Sequence, residues 1–178
     1  MGIFLRRIIG AALLSTQAYE DVERDRSATS QAMIVVLLSS LAAGVGALGP
    51  LGARPLALAS ISMLAFAMWF IWAVLTLQIG TRIMPSPQTR ADVGELLRTT
   101  GFAAAPGMLR VVGVIPGLTA AVFVVTTAWM LMAMIVAVRQ ALDLTTSTGR
   151  AFAVCAVGLT LALGFAFGIG LVFAPALH

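Results

Sequence analysis

The chain has 178 residues, of which 60% are hydrophobic and 10% are charged, and its formal net charge at pH 7 is +4. Its mean hydropathy of +1.03 is more than a soluble domain can bury, and long uncharged runs are typical of helices that cross a bilayer. The composition therefore excludes a soluble globular protein. Together with the apolar runs along the chain, it predicts an all-α polytopic membrane protein with five transmembrane helices and an N-terminal interfacial amphipathic helix.

Residues 1–27 are predicted to form an amphipathic helix on the membrane surface, followed by a charged linker. Arg7 lies on one face of this helix. The opposite face is apolar and consists of Phe4, Leu5, Ile8, Ile9 and Ala12. This pattern is typical of helices that lie in the plane of the interface. A secretory signal peptide is the alternative, but the apolar run over residues 8–14 is at the short limit for one.

Residues 28–175 are predicted to form one membrane domain. Its five spans are expected over residues 29–48, 56–79, 96–117, 118–138 and 151–174. A short amphipathic helix before the third span carries Glu95 and Arg98, which are expected to be solvated or to lie among headgroups. Prolines between the spans end the helices.

The third predicted span is the least suited to lipid, because it contains Arg110 and two prolines. A charged residue in the bilayer interior costs about 2.5–3.5 kcal/mol on insertion scales, unless it faces protein, water or headgroups. In an α-helical projection, Arg110 shares its face with small residues, namely Ala103, Pro106, Gly107, Gly113 and Gly117. Small residues let helices approach closely in lipid, so this face is predicted to lie inside the bundle.

Two roles are open for Arg110. In the first, it extends along Gly113 and Gly117 toward external headgroups, or binds a backbone carbonyl released by Pro106 or Pro116. In the second, it points into a central transport cavity. The first role is favoured, because no carboxylate of the chain is predicted at the same depth.

Two further contacts are predicted near the end of the chain. Gly164 and Gly168 have the GxxxG spacing of close helix–helix contacts. Arg139, Asp143 and Arg150 are predicted to form a small charge cluster at an inner loop. Separate solvated charges are the alternative for this cluster.

The arginines predict the orientation. If all five segments cross, nine arginines share one side with all seven acidic residues, against Arg54 on the other side. If the third segment instead enters the membrane and returns to the same side, seven arginines lie on one side and three on the other. The positive-inside rule therefore favours five crossings, with the N-terminus cytoplasmic and the C-terminus external.

The sequence offers no catalytic constellation and no metal or cofactor site. Its one histidine, His178, and its one cysteine, Cys155, do not supply a converging set of ligands or a nucleophile with a base. The arginines are interspersed with acids, unlike those of a nucleic-acid-binding surface. The chain is therefore predicted not to be an enzyme and to bind neither a cofactor nor nucleic acid.

Four stretches resemble the bacterial members of the YIP family, the Ypt/Rab-interacting membrane proteins. They are YEDVERDRSATSQA, GTRIMPSP, ELLRTTGFAAAPGMLRVVGVIPGL and VRQALDLTTSTGRA. The resemblance implies a five-span protein of the bacterial inner membrane. Eukaryotic relatives act in vesicle transport and bind small GTPases through a longer N-terminal region. That region is short here and lacks the DLYGP motif, so the sequence does not support GTPase binding.

The predicted function is a non-enzymatic membrane scaffold, or an accessory or assembly subunit of a larger membrane complex. Its expected partners are the lipid bilayer and other membrane-protein subunits or further copies of itself. One alternative is a small transporter or channel that uses the proline-broken third span and Arg110. The other is a membrane-trafficking or membrane-organising factor, as the eukaryotic relatives are.

Overall fold

The computed structural model of the protein describes residues 2–48, 55–83, 93–141 and 148–173. These residues are helical apart from short turns, and no strand occurs among them. The helices are α1 (Ile3–Ala12), α2 (Thr16–Arg24), α3 (Ala28–Leu48), α4 (Pro55–Gln78), α5 (Val93–Phe102), a 3₁₀ helix (Ala105–Val114), α6 (Thr119–Ala141) and α7 (Thr148–Phe173). One π-helical turn, Ile79–Ile83, continues α4.

Three helices are long and apolar enough to cross a membrane, namely α3, residues Leu58–Gln78 of α4, and α6. They correspond to the first, second and fourth predicted spans. The fifth predicted span corresponds to α7, in which the described apolar helix is Ala151–Leu161. That α7 and the third segment cross the membrane stays a prediction.

α3 lies at the centre of the bundle. In the most apolar 18-residue stretch of each helix, 44% of α3 is buried, compared with 22% of α4 and 28% of α6. Its buried face consists largely of small residues, which are Ala28, Ala32, Ser39, Ser40, Ala42, Ala43, Gly44 and Gly46. Such a face lets α4 and the 3₁₀ helix approach the α3 backbone closely. A Cβ atom at Gly46 would overlap the carbonyl oxygen of Arg110.

The predicted third span is not one continuous helix. α5 and the 3₁₀ helix are separated by a short turn, and Pro106 explains the break. Proline has no N–H to donate, and its ring would clash with the carbonyl four residues earlier in an α-helix. At the other end, Ile115 is extended and Gly117 has φ +82°, a left-handed conformation that suits glycine. This segment therefore reaches α6 as two short helices and a turn.

The N-terminal residues fold as a helical hairpin, in which α2 takes the place of most of the predicted charged linker. That α1 lies on the membrane surface stays a prediction. The charged stretch forms most of α2, and a turn with Leu14 at φ 60° joins it to α1. Tyr19 and Val22 of α2 are buried in the hydrophobic core that also includes residues of α5 and α6. Two of the acidic residues of this stretch, Asp21 and Asp25, pair with Arg7 of α1.

The apolar stripe predicted on α1 is divided between the core and the outside. Phe4, Ile8 and Ala12 pack against the core, and the other two residues of the stripe are exposed. The indole N–H of Trp129, near the midpoint of α6, donates to the carbonyl oxygen of Ala12 at 2.8 Å. The end of α1 therefore lies against the middle of a candidate span.

Candidate intramembrane site at Arg110

The backbone of Arg110 is fixed against α3. Its carbonyl oxygen faces Gly46, where a side chain would collide with it. A Cβ atom at Gly113 would lie 3.2 Å from the carbonyl oxygen of Gly46. The two glycines therefore permit the 3₁₀ helix to pack against the C-terminal part of α3.

The guanidinium of Arg110 is bound by one face of α6. Its Nε donates to Thr126 Oγ1 at 3.3 Å, and its Nη2 donates to Thr127 Oγ1 at 2.9 Å. The Thr126 hydroxyl donates in turn to the carbonyl of Val122 at 2.7 Å, so its oxygen accepts from Arg110. The Cζ atom lies 5.1 Å from the ring centroid of Phe123, a cation–π contact.

These partners differ from the predicted ones. The sequence pointed to backbone carbonyls, or to headgroups reached along Gly113 and Gly117, but the guanidinium binds hydroxyls. Gly113 is buried and its carbonyl accepts from Thr119 Oγ1 at 2.7 Å, while Gly117 is exposed in a turn. Thr127 follows Thr119, the first residue of α6, by two helical turns. The guanidinium therefore lies about 12 Å along α6 from its beginning.

The positive charge of Arg110 has no carboxylate partner in the part of the chain that the structure describes. Threonine hydroxyls and an aromatic ring surround it instead. Hydroxyl dipoles and a ring quadrupole stabilise a cation, but they leave its net charge in place. The described surroundings therefore leave the site with a net positive charge.

A cavity of about 350 Å³ opens beside the guanidinium. Its apolar wall comes mainly from α4 and includes Ile61, Leu64, Met68, Trp69, Trp72 and Leu159. Arg110 and Thr127 are its polar wall residues. The indole N–H groups of Trp69 and Trp72 donate to the carbonyls of Thr100 and Cys155, each at 3.3 Å. The two rings therefore present apolar surface to the cavity.

The small residues predicted to share a face with Arg110 fall into two groups. Four are buried, namely Ala103, Pro106, Gly107 and Gly113. The fifth, Gly117, is exposed in the turn before α6, as is its neighbour Pro116. A Cβ atom at Gly107 would overlap the hydroxyl of Ser39 on α3. Close packing against α3 therefore involves the first group.

The predicted charge cluster falls partly outside the described residues. Asp143 lies outside them, and so does the side chain of Arg150. Arg139 donates from Nη1 to Thr148 Oγ1 at 3.2 Å. The pairing of Asp143 with either arginine stays a prediction.

The predicted GxxxG contact is also only partly visible. Gly164 is exposed, and no described atom lies within 4 Å of a Cβ atom built on it. Gly168 belongs to α7, but its surroundings lie outside the described residues. Gly164 therefore offers an open surface to lipid or to another helix.

A charged cluster at Arg7 was not predicted from the sequence. Arg7 is 5% exposed and contacts Asp21 at 2.9 Å, Asp25 at 2.8 Å and Gln31 Oε1 at 3.2 Å. The hairpin turn brings the acids of α2 to the face of α1 that was expected to be exposed. Asp21 and Asp25 are four residues apart, the helical spacing that indicates a shared partner.

The carboxylate of Asp25 is held in its ionised form. The Ser27 hydroxyl donates to it at 2.6 Å and the Ser27 backbone N–H at 2.9 Å. Led by the Ser27 hydroxyl and followed by Arg7, these contacts lower the pKa of Asp25 to about 2. The cluster therefore keeps its ion pair at neutral and moderately acidic pH.

Arg98 is buried, which corrects the prediction of a solvated or headgroup charge. It is 4% exposed, and its Nη2 donates to the carbonyl oxygen of Glu23 at 2.7 Å. The covering element is α2, which the sequence did not predict as a helix. The folding of α2 therefore explains the burial of Arg98.

The family model described as the Yip1 domain matches residues 11–169. The match begins at the end of α1 and includes α2, the 3₁₀ helix and the cavity beside Arg110. No curated protein and no solved structure matches the chain.

Proposed function

Because the chain belongs to the Yip1 domain family, we propose that it is a non-enzymatic scaffold or accessory subunit of a larger membrane complex. The family is membrane-associated and is not known as enzymatic. With its apolar helices, the chain is an integral membrane protein. Its proposed partners are lipid and other membrane-protein subunits or further copies of itself.

The observation that supports a scaffold is the exposed apolar surface of α4 and α6. Less than a third of the most apolar window of each helix is buried. The large exposed side chains include Met63, Leu64, Phe70, Val124, Val125 and Met132. Flexible methionines adapt to irregular partner surfaces, and in lipid such faces associate through van der Waals packing.

A diazirine amino acid introduced at Met63 or Val124 tests this proposal in cells. After irradiation and purification in mild detergent, a discrete protein adduct is expected from each position, because both are exposed. The same amino acid at Met134, which is buried in α6, is the matched control and should give no adduct with another protein. Adducts with lipid alone at both exposed positions, together with a monomer on native gels, would contradict the scaffold.

The proposed location is the bacterial inner membrane, with the N-terminus in the cytoplasm and the C-terminus outside. The support is the concentration of arginines in the segments that would face the cytoplasm in a five-span arrangement.

A small transporter or channel is the second candidate function. It is favoured by the broken third segment and by the cavity that Arg110 lines. Broken helices and intramembrane charges often mark transport pathways. Flux of ions and small metabolites into vesicles that contain the purified chain would support this candidate. A flux no higher than that into protein-free vesicles would exclude it.

A further inference from the structure

We propose that the cavity beside Arg110 binds a single-chain amphiphilic carboxylate, of the free fatty acid class, taken up from the bilayer. Its carboxylate would pair with the guanidinium, and its chain would lie along the apolar wall formed by α4. The proposal does not depend on the scaffold role, because it needs lipid and this chain alone.

The guanidinium of Arg110 has N–H donors left to bind such a ligand. Arginine carries five N–H donors in a planar fork. Two of them bind Thr126 and Thr127, and three remain for a further acceptor. A carboxylate accepts two parallel hydrogen bonds from a guanidinium edge, and this charge-assisted pair is stronger than hydrogen bonds to hydroxyls. The ligand would also supply the negative charge that the described part of the chain does not place at Arg110.

The wall of the cavity suits an acyl chain. Trp69 and Trp72 have their indole donors satisfied by backbone carbonyls, so their rings offer only apolar surface. Leu64 also lines the cavity and is 56% exposed, which places the opening on the outer surface of α4. A chain from the surrounding lipid therefore has direct access. The volume of about 350 Å³ is at the lower end for ligand cavities, which favours one chain over two.

The depth of the guanidinium favours a carboxylic acid over a phospholipid head. α6 has 23 residues and is about 35 Å long, enough to cover a hydrocarbon layer of about 30 Å. A group about 12 Å from its first residue lies below the headgroups. A phosphate diester stays charged and is costly to move there, whereas a carboxylic acid reaches this depth in its neutral form. Pairing with the guanidinium then favours the ionised form, and the proton returns to water at the interface.

Photolabelling of the purified full chain in phosphatidylcholine vesicles tests the proposal. The probes are a palmitic acid analogue with a diazirine in its chain, the matching fatty alcohol, and a phosphatidylglycerol that carries the same chain. The acid is expected to label the wild-type protein about tenfold more than either other probe, because it alone brings a carboxylate to the guanidinium. The adducts should map to the part of α4 that lines the cavity.

Two pairs of variants complete the test. Arg110→Gln should abolish the preference for the acid, and Arg139→Gln, at an arginine remote from the cavity, should keep it. Leu64→Trp should reduce labelling by narrowing the opening, and Phe70→Trp, at an exposed position of α4 outside the cavity wall, should not.

Equal labelling of the wild-type protein by acid and alcohol would overturn the proposal. So would equal labelling by the phosphatidylglycerol, which would assign the site to phospholipid heads. Retention of the preference in Arg110→Gln would overturn it as well. If Arg110→Gln does not fold, the Leu64→Trp variant decides, and unchanged labelling there would refute the site.

Discussion

Arg7 connects the first three helices. Its guanidinium contacts Asp21 of α2, Asp25 at the end of α2 and Gln31 of α3. Two carboxylates and an amide share this one donor group. A change at Arg7 therefore affects the whole N-terminal hairpin, although it alters one side chain.

Arg7→Met is expected to destabilise the closed hairpin by about 2 kcal/mol. Hydrogen bonds to charged groups contribute about 1.5–3 kcal/mol, and the partly exposed partners keep some hydration. The open hairpin would then be about 30-fold more populated, and cleavage by trypsin after Arg24 would accelerate accordingly. Arg6→Met is the matched control, because Arg6 is the adjacent arginine and is exposed. Equal cleavage rates in the two variants would contradict the role of Arg7.

Protonation of Asp25 is expected to destabilise the same hairpin at low pH. Its pKa is lowered from 3.8 to about 2, first by the Ser27 hydroxyl and then by Arg7. A lowered pKa adds stability above the unfolded value, and this contribution is lost as pH falls through the folded value. Hydrogen exchange of the α2 amides should therefore be unchanged down to about pH 4 and should accelerate between about pH 4 and 2, after correction for intrinsic rates.

Ser27→Ala isolates the cause of this shift. Without its hydroxyl donor, the carboxylate of Asp25 should titrate closer to its ordinary value, as measured by NMR of the labelled carboxyl carbon in micelles. Ser30→Ala is the control, because the Ser30 hydroxyl donates to the carbonyl of Ser27 and not to Asp25. An unchanged pKa of Asp25 in Ser27→Ala would show that Ser27 is not the main cause.

The sequence identified Arg110 but not its partners. Its charge inside an apolar run, with small residues at helical spacing, predicted that this face of the segment lies inside the bundle. Thr126 and Thr127 belong to a different helix, and nothing in their local sequence indicates that they face Arg110. A contact between helices depends on how the helices are arranged, and hydropathy does not determine this.

Among the elements, the long helices were predictable and the short ones were not. α3, α4 and α6 were predicted from uninterrupted apolar runs. A segment in lipid must satisfy its own backbone hydrogen bonds, so a long apolar run is expected to be helical. Pro106 predicted that the third segment breaks, but not that a 3₁₀ helix follows. The α1–α2 turn gave no signal, because Leu14 occupies a left-handed conformation that leucine rarely adopts.

The packing of the 3₁₀ helix on α3 is tested by Gly46→Ala. A methyl group there would meet the backbone carbonyl of Arg110, which cannot move aside as a flexible side chain does. Overpacking of this kind costs about 1–3 kcal/mol, so a lower unfolding temperature in detergent is expected. Gly164→Ala is the matched control, because its Cβ atom meets open space, and it should be neutral or stabilise by up to about 1 kcal/mol. Similar unfolding temperatures for both variants would contradict the close contact.

For the whole molecule, the orientation in the membrane is the property to test. Reporter fusions after Arg24, Ser86 and Thr146 are expected to read cytoplasmic, and fusions after Gly52 and His178 external. The reason is that arginine-rich segments are retained in the cytoplasm during insertion. A cytoplasmic reading at His178 would exclude five crossings and favour a third segment that enters and leaves on one side.

The hydrogen bond from Trp129 to the Ala12 carbonyl also bears on the order in which the helices can pack during synthesis. Its two residues are 117 positions apart in the chain. At 5–20 residues per second, the ribosome needs about 6–23 s to produce the second partner after the first. During this interval α6 is not yet available for α1 and α2 to pack against. The contact of α1 with α6 is therefore a late step, which follows the synthesis of α6.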